Sequence, residues 1–541
     1  MRRWLVFPLA FVLFAWCTAS AQTLRQIPLD SPIYDHLEHF RALGYWSGGL
    51  EVRPIRGADL LEAMRDIEAG VRARPLTAGD AQRLDVLRRA AAHLTAAVRA
   101  VRADSARRDV PPSLWSFGGN LQFFGQATNL DSLPDLDRRP RRDYFFSMWF
   151  DAELPQGLYA QWRFFQDYTK LTPSPGDQNW VDNLPPNLRD TLTDGSARND
   201  LAALGYGNGW LNVEFGRRER HWGPGRRGTL FLSENPFPLD GLSLQFRTRY
   251  VVLTSLFAQS RRGNQSGDGY AYVASHRVEI RPPLPFRIGL FESVAYGNRP
   301  IDLAYTNPIG FFVAMTQDIT DRSGTDDKKV LGVDFQADIQ PVSLYAELLV
   351  DRVVVLDAGQ DGPDSEISSF GQLFGLRWAN PFGWRGSDLD VEYAHLDPQV
   401  YFHNDGDETR SLLSEGELMG HWLGPNAGSV HAALASPPIG RAGTLQLSYE
   451  HSRYGILDGK RGTELGFIGL KKRDKQWITG AQGIERIMAL RWERRAWPTG
   501  WGDLDTAVGA ARVVHTGAFR PAKGWLVEMR VQWKLGWSSV F

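Results

Sequence analysis

The sequence predicts an all-β transmembrane barrel of roughly 16–18 antiparallel strands, sixteen by direct count, behind a small N-terminal α-helical domain. From Trp115 onward, apolar and polar residues alternate in segments of about ten residues. Short and long connections alternate between those segments. Ahead of them, three apolar stripes recur at helical spacing. Aromatics make up 12% of the chain, with 19 Trp, at a mean hydropathy of -0.32. This excludes a helical membrane bundle, because nothing after the first twenty residues approaches the roughly 18 apolar residues a spanning helix needs. Disorder is excluded by the same composition. A formal net charge of -1 gives no electrostatic reason to expect a nucleic-acid partner.

Residues 1–21 read as an export signal. Arg2 and Arg3 form its basic start, Trp4 to Cys17 an apolar run too short to span, and Ala19-Ser20-Ala21 a cleavage site before Gln22. Cys17 is the sole cysteine, and Trp16 before it does not suit lipid anchoring. The exported chain then has no thiol, so no disulfide supports the fold.

Residues 22–110 predict a periplasmic helical bundle. Ser31-Pro32 offers a cap and a first-turn proline for Tyr34, Leu37, Phe40 and Leu43, ending at Gly44. A second stripe, Leu60, Met64, Ile67 and Val71, follows Gly57 and stops near Pro75. The third begins at Thr77 with Asp80 three residues on, then Leu84, Leu87, Ala91, Leu94, Val98 and Val101. His36 and His39 stand at i,i+3, but no further ligand joins them and they read as helix-surface histidines. Pro111-Pro112 closes the region.

Residues 111–541 predict the barrel, with 218–240 as an internal or rim segment. In the last strand Trp525, Val527, Met529, Val531, Trp533, Leu535, Trp537 and Phe541 share one face, and Glu528, Arg530, Gln532 and Lys534 the other. One face suits lipid, the other water. The terminal Phe541 also resembles the signal read by the barrel-insertion machinery. Leu242, Leu244 and Phe246, Leu331 to Ile339, and Leu445, Leu447 and Tyr449 repeat the alternation. Tight connections near 154–157, 282–285, 340–341, 380–387, 437–443 and 497–502 alternate with long ones near 170–204, 297–327, 355–367, 398–428 and 455–484. Short periplasmic turns and long external loops fit an outer-membrane barrel.

One stretch is distinctive: His221-Trp222-Gly223-Pro224-Gly225, then Leu230, Leu232, Ser233 and Asn235. The pattern W-G-P-G-x4-L-x-L-S-x-N resembles the Wzi family of capsule-assembly outer-membrane proteins. The exported N-terminus, the short helical domain, the Asn307-Pro308 segment and the total length also fit. The resemblance implies an eighteen-stranded barrel, a periplasmic helical bundle, and a lectin-like role holding capsular polysaccharide at the cell surface without catalysis.

Read physically, the Gly223-Pro224-Gly225 turn sets Trp222 beside Arg226 and Arg227. An indole can stack on a sugar ring and guanidinium groups can grip acidic substituents. The alternative is a plug or rim in which Trp222 is packed and the arginines pair with lumen carboxylates. Trp180, Arg299, Tyr305, Tyr401, Arg410 and Trp422 form a second candidate polysaccharide surface in the external loops. No catalytic motif, cofactor site or metal site is predicted; the acidic runs Asp361 to Glu366 and Asp405 to Glu408 lack the spacing of a calcium loop. The expected partners are capsular or other exported polysaccharide and outer-membrane lipid, and the expected state is a monomer. A porin or sugar-selective channel, and an outer-membrane hydrolase, are the competing functions.

Overall fold

The structure, a computed structural model, describes residues 26–29, 31–105, 114–128, 146–154, 157–167, 196–260, 271–310, 312, 327–352, 368–403, 408–414, 416–439, 443–457, 460–461, 475–499, 502–519 and 521–540. The export signal, Pro111-Pro112, Trp180, Phe541 and most of the two acidic runs lie outside them.

Three helices come first: α1 Ile33–Ala42, α2 Gly57–Ala73 and α3 Ala78–Ser105. Their apolar stripes meet in one core, with Leu37, Phe40, Leu60, Ile67 and Leu87 fully buried. Thr77 opens α3 as expected: its hydroxyl lies 2.6 Å from Asp80 Oδ2 and accepts the Asp80 N–H at 3.4 Å. The start of α1 departs from expectation. Pro32 is itself the N-cap and Ser31 Oγ reaches only the N–H of Ile33, at 3.4 Å.

Eighteen strands then close a single antiparallel barrel. They are β1 Leu114–Thr128, β2 Phe146–Glu153, β3 Leu158–Asp167, β4 Ser196–Gly207, β5 Leu211–Arg218, β6 Leu239–Arg247, β7 Val251–Ser260, β8 Ala271–Ile280, β9 Phe286–Gly297, β10 Lys328–Ile339, β11 Val342–Arg352, β12 Ser369–Ala379, β13 Asp388–Leu396, β14 Ala427–Ala435, β15 Thr444–Leu457, β16 Ala481–Thr499, β17 Gly502–Gly517 and β18 Ala522–Val540. Each pairs with its sequence neighbour, and β18 returns to β1 from Leu114↔Val540 to Thr128↔Leu526. Closure removes both free edges, which a membrane would leave without hydrogen-bond partners. No helix among the described residues is long and apolar enough to cross a membrane.

Side-chain alternation sorts as the sequence indicates. Along β10, Phe335 and Ile339 are exposed outside while Asp334 and Gln336 are buried within. Leu445, Leu447 and Tyr449 on β15 and Trp525, Val527 and Met529 on β18 extend the outer apolar surface. The segment between β5 and β6 adds no pair of spanning strands. Instead it turns into the lumen, where His221–Trp222 pairs with Val52–Arg53 from the N-terminal region.

The helices cover the short-turn end of the barrel. Arg83 Nε donates to Gly386 O at 2.7 Å in the β12–β13 turn, and Arg56 Nη1 to Asn208 O at 3.0 Å in the β4–β5 turn. His39 makes the deepest contact. Its Nδ1 lies 2.7 Å from Asp388 Oδ1 of β13 and its Nε2 3.0 Å from Asp80 Oδ1 of α3. The surface reading of His39 is therefore wrong: the side chain is fully buried, because α1 lies between α3 and the barrel lumen.

Candidate functional site

The Gly223-Pro224-Gly225 turn is the centre of a lumenal plug, and its geometry explains its composition. Gly223 has φ +138, and a Cβ there would come within 2.1 Å of Thr229 Oγ1. Its N–H donates to Glu51 O at 2.7 Å. Two glutamates on the barrel wall collect the following donors. Glu347 of β11 accepts the Gly225 N–H at 2.8 Å, the Leu230 N–H at 2.7 Å and the Thr229 hydroxyl at 2.9 Å. Glu392 of β13 accepts the Arg226 N–H at 2.8 Å, the Arg227 N–H at 3.2 Å and the Tyr345 hydroxyl at 2.9 Å. Successive backbone donors thus close on a pair of carboxylates, satisfying turn and wall together.

The side chains of the motif follow the same pattern. Trp222 is 1% exposed and packs edge-on against Phe291 of β9, which also stacks on Phe231 at 4.7 Å. Arg226 pairs with Asp35 at 2.6 Å, with Asp390 at 3.2 Å and with Glu38, joining the turn to α1 and to β13. Arg227 reaches Glu450 of β15 at 2.9 Å and lies over the Trp422 ring at 5.9 Å. His221 Nδ1 contacts Glu234 Oε2 at 2.7 Å. Leu230 and Leu232 are buried in the plug core. Ser233 Oγ donates to Gly420 O at 2.5 Å and Asn235 Nδ2 to Leu418 O at 2.9 Å, which fastens the β13–β14 connection inside the barrel.

That connection, residues 397–426, is an external loop in the sequence reading, and much of it is interior. Tyr401 is fully buried; its hydroxyl donates to Leu230 O at 2.9 Å and accepts the His421 N–H at 3.1 Å. His421 Nδ1 accepts the Leu423 N–H at 3.2 Å, leaving the other ring nitrogen as a buried N–H. Burial, and then Arg227, push the His421 pKa down to about 3, so the ring is neutral near neutral pH. Trp422 is 9% exposed.

The remaining candidates divide by position. Arg299 grips Asp327 at 2.7 and 2.6 Å through both terminal nitrogens and lies 4.6 Å above the Tyr296 ring. Tyr305 donates to the same carboxylate at 2.7 Å. Arg410 ends a short helical turn, Glu408–Arg410, beside Thr409, which packs against Gly297 at the end of β9. Arg299, Tyr305 and Arg410 therefore lie at the long-loop rim, apart from the central turn. Toward the helical cap, a cavity of about 160 Å³ is lined by Asp35, Arg53, His221, Arg226, Glu234 and Arg495, among others. Sequence reasoning misses Glu347 and Glu392 individually, and sets Glu450 on the polar face of its strand, opposite Leu445, Leu447 and Tyr449, without its partner Arg227. Alternation marks them as lumen-facing, but nothing local tells which carboxylates meet a segment more than a hundred residues away.

Among the described residues, no group of three or more His, Cys, Asp or Glu is placed to hold a metal ion. The chain is similar to the solved structure of Wzi from Escherichia coli, an outer-membrane protein involved in group 1 capsule assembly and a carbohydrate-binding β-barrel. Identity is 11%, over 93% of this chain and 98% of that one, at a TM-score of 0.58. Pseudomonas aeruginosa OpdK, solved with vanillate, aligns over 79% of this chain and 99% of its own at 13% identity and TM-score 0.44. OprD from the same organism aligns over 79% and 94% at 11% and 0.42. No curated relative matches the sequence. The profile of the capsule assembly protein Wzi family matches residues 126–493, which include the whole plug motif and most of the barrel, and the chain belongs to that family.

Proposed function

We propose that this outer-membrane barrel binds exported polysaccharide and holds it at the cell surface, without catalysing its making or breaking. Membership of the capsule-assembly family supports the reading, and one structural observation carries it further. The lumen holds two segments: the motif turn is locked to the wall by Glu347 and Glu392, and the 397–426 connection is fastened to that turn through Tyr401 and Ser233 and to the wall through Asp351. A barrel plugged in this way is suited to presenting a fixed surface, whereas a porin needs an open water path.

Within that reading, the polymer meets the long-loop end. Arg299 and Arg410 contribute at the rim, where buried Tyr305 braces the Asp327 carboxylate that orients Arg299, and Arg227 and Trp422 at the lumenal face of the plug. Arginine suits acidic sugars because its planar fork matches a carboxylate. Trp222 and Tyr401 act by holding the plug in shape, since both are buried.

Purified protein in detergent should retain the host's own surface polysaccharide in a pull-down. Replacing Arg299 and Arg410 together by Gln should lower retention by about tenfold, roughly 1.4 kcal/mol. Equal recovery by wild type and by an unrelated barrel would refute the proposal.

A further inference from the structure

The outside of the barrel carries a cationic cluster that the plug and the loops leave unexplained. On β15, Glu450 faces the lumen, where it receives Arg227, and Ser452 is buried against Ser429. His451 and Arg453 therefore face outward. On β16, Glu485 points inward to His515 at 3.0 Å, so Arg486 faces outward as well. Register places His451 opposite Arg486.

Among the described residues, these three groups have no anion beside them. Arg453 Nε lies 3.1 Å from His451 Nε2, and Arg486 Nε 3.3 Å from His451 Nδ1. A neutral imidazole offers one lone pair and a protonated one offers none, so one guanidinium N–H must face a ring N–H. No ion pair among the described residues brings a carboxylate to Arg453 or Arg486, and both are exposed. An arrangement of this kind is completed by a negatively charged acceptor from outside the chain.

Position says what the acceptor belongs to. The next row toward the short-turn end holds Tyr449, Met488, Arg512 and Trp525, paired in register across β15 to β18. Below it lie Leu447, Leu490, Ala510 and Val527. Apolar rows thus give way to aromatics and then to cations, the order expected where a barrel leaves the hydrocarbon at its external interface. Arg512 lies 5.4 Å over the Trp525 ring, and Lys523 continues the cationic row beside Val514. One strand pair away, exposed Trp477 stacks flat on His395 at 3.8 Å and 7°, with Gly428 between His395 and Arg453 in register.

We propose that this outer face of β15 to β18 binds the phosphorylated headgroup of an outer-leaflet glycolipid, with Arg453 and Arg486 gripping phosphate across His451, Lys523 and Arg512 beside them, and Trp477 and Trp525 seated at the sugar–acyl boundary. Phosphate supplies the missing acceptor, and the acyl chains lie along the apolar rows beneath. The site is separate from the polysaccharide surface and does not depend on it.

Native mass spectrometry of the detergent-purified full chain tests this with bis-phosphorylated lipid A and its dephosphorylated counterpart as probes. The phosphorylated lipid should be retained preferentially by the wild type, and a double variant, Arg453→Gln with Arg486→Gln, should retain about tenfold less. Arg249→Gln, at the opposite rim, should behave as wild type. Equal retention of both lipids by the wild type overturns the proposal even if the double variant fails to fold, and so does full retention by a folded double variant. Displacement of the lipid by the host's acidic polysaccharide, or by inorganic phosphate alone, also overturns it, because the cluster would then read a soluble anion.

Discussion

Glu347 on β11 accepts the backbone N–H of Gly225 at 2.8 Å, so a wall carboxylate and a glycine 122 residues away define one closed turn inside the barrel. Pattern and chemistry coincide there. The W-G-P-G stretch is kept small and bent because the Gly223 N–H must reach Glu51 O while the Gly225 N–H turns to a wall carboxyl group, and the following arginines are then directed to different wall carboxylates.

Replacing Glu347 by Ala removes the acceptor for two N–H groups and one hydroxyl, each buried. Leaving a buried donor unpaired costs about 1–3 kcal/mol. The plug should loosen while the hydrogen-bonded barrel persists. In planar bilayers the wild type should be silent and the variant should show intermittent conductance.

Gly223→Ala places a methyl group against Thr229 Oγ1 and Glu347 Oε1 at a backbone angle that favours glycine. Limited trypsin digestion reports the outcome. Cleavage after Arg226 or Arg227 should appear in the variant and be absent from the wild type, with the barrel still migrating as a folded species on unheated gels.

His39→Leu breaks a buried contact between α1, α3 and β13 while leaving Asp388 its ion pairs with Arg83 and Arg377. A loss of about 1–3 kcal/mol is expected for removing one side of a buried hydrogen-bonded contact. Hydrogen exchange should accelerate in α1 and in the first turns of α3, with β13 unchanged.

The buried neutral His421 makes the plug sensitive to acid. Its folded pKa of about 3 lies below the unfolded value of 6.5, so the unfolded form takes up the proton first as pH falls. Its contribution is complete above pH 6.5 and falls by about 1.4 kcal/mol per pH unit between there and about pH 3. Thermal unfolding of the plug, followed by Trp fluorescence, should show this slope, and His421→Gln should reduce it.

The parts legible in the sequence are those set by local periodicity. The clearest cases are Leu445, Leu447 and Tyr449, and Trp525, Val527 and Met529, whose outward placement follows from a period of two. The helical stripes are equally readable, since Leu84, Leu87 and Ala91 need only the rise of one helix to share a face. Contacts between distant segments are not. Nothing near His39 announces Asp388, and nothing near Tyr401 announces Leu230, because strand register and lumen filling are set by closure of the whole sheet. The same limit hides the meeting of His451 with Arg486 and the stacking of Trp477 on His395.

Partition of polysaccharide between cells and medium tests the central proposal most directly, in a producing host with and without this chain. Loss of the chain should shift polymer into the medium while the total stays constant, and restoring it should return the polymer to the cells. An unchanged cell-bound fraction would contradict it.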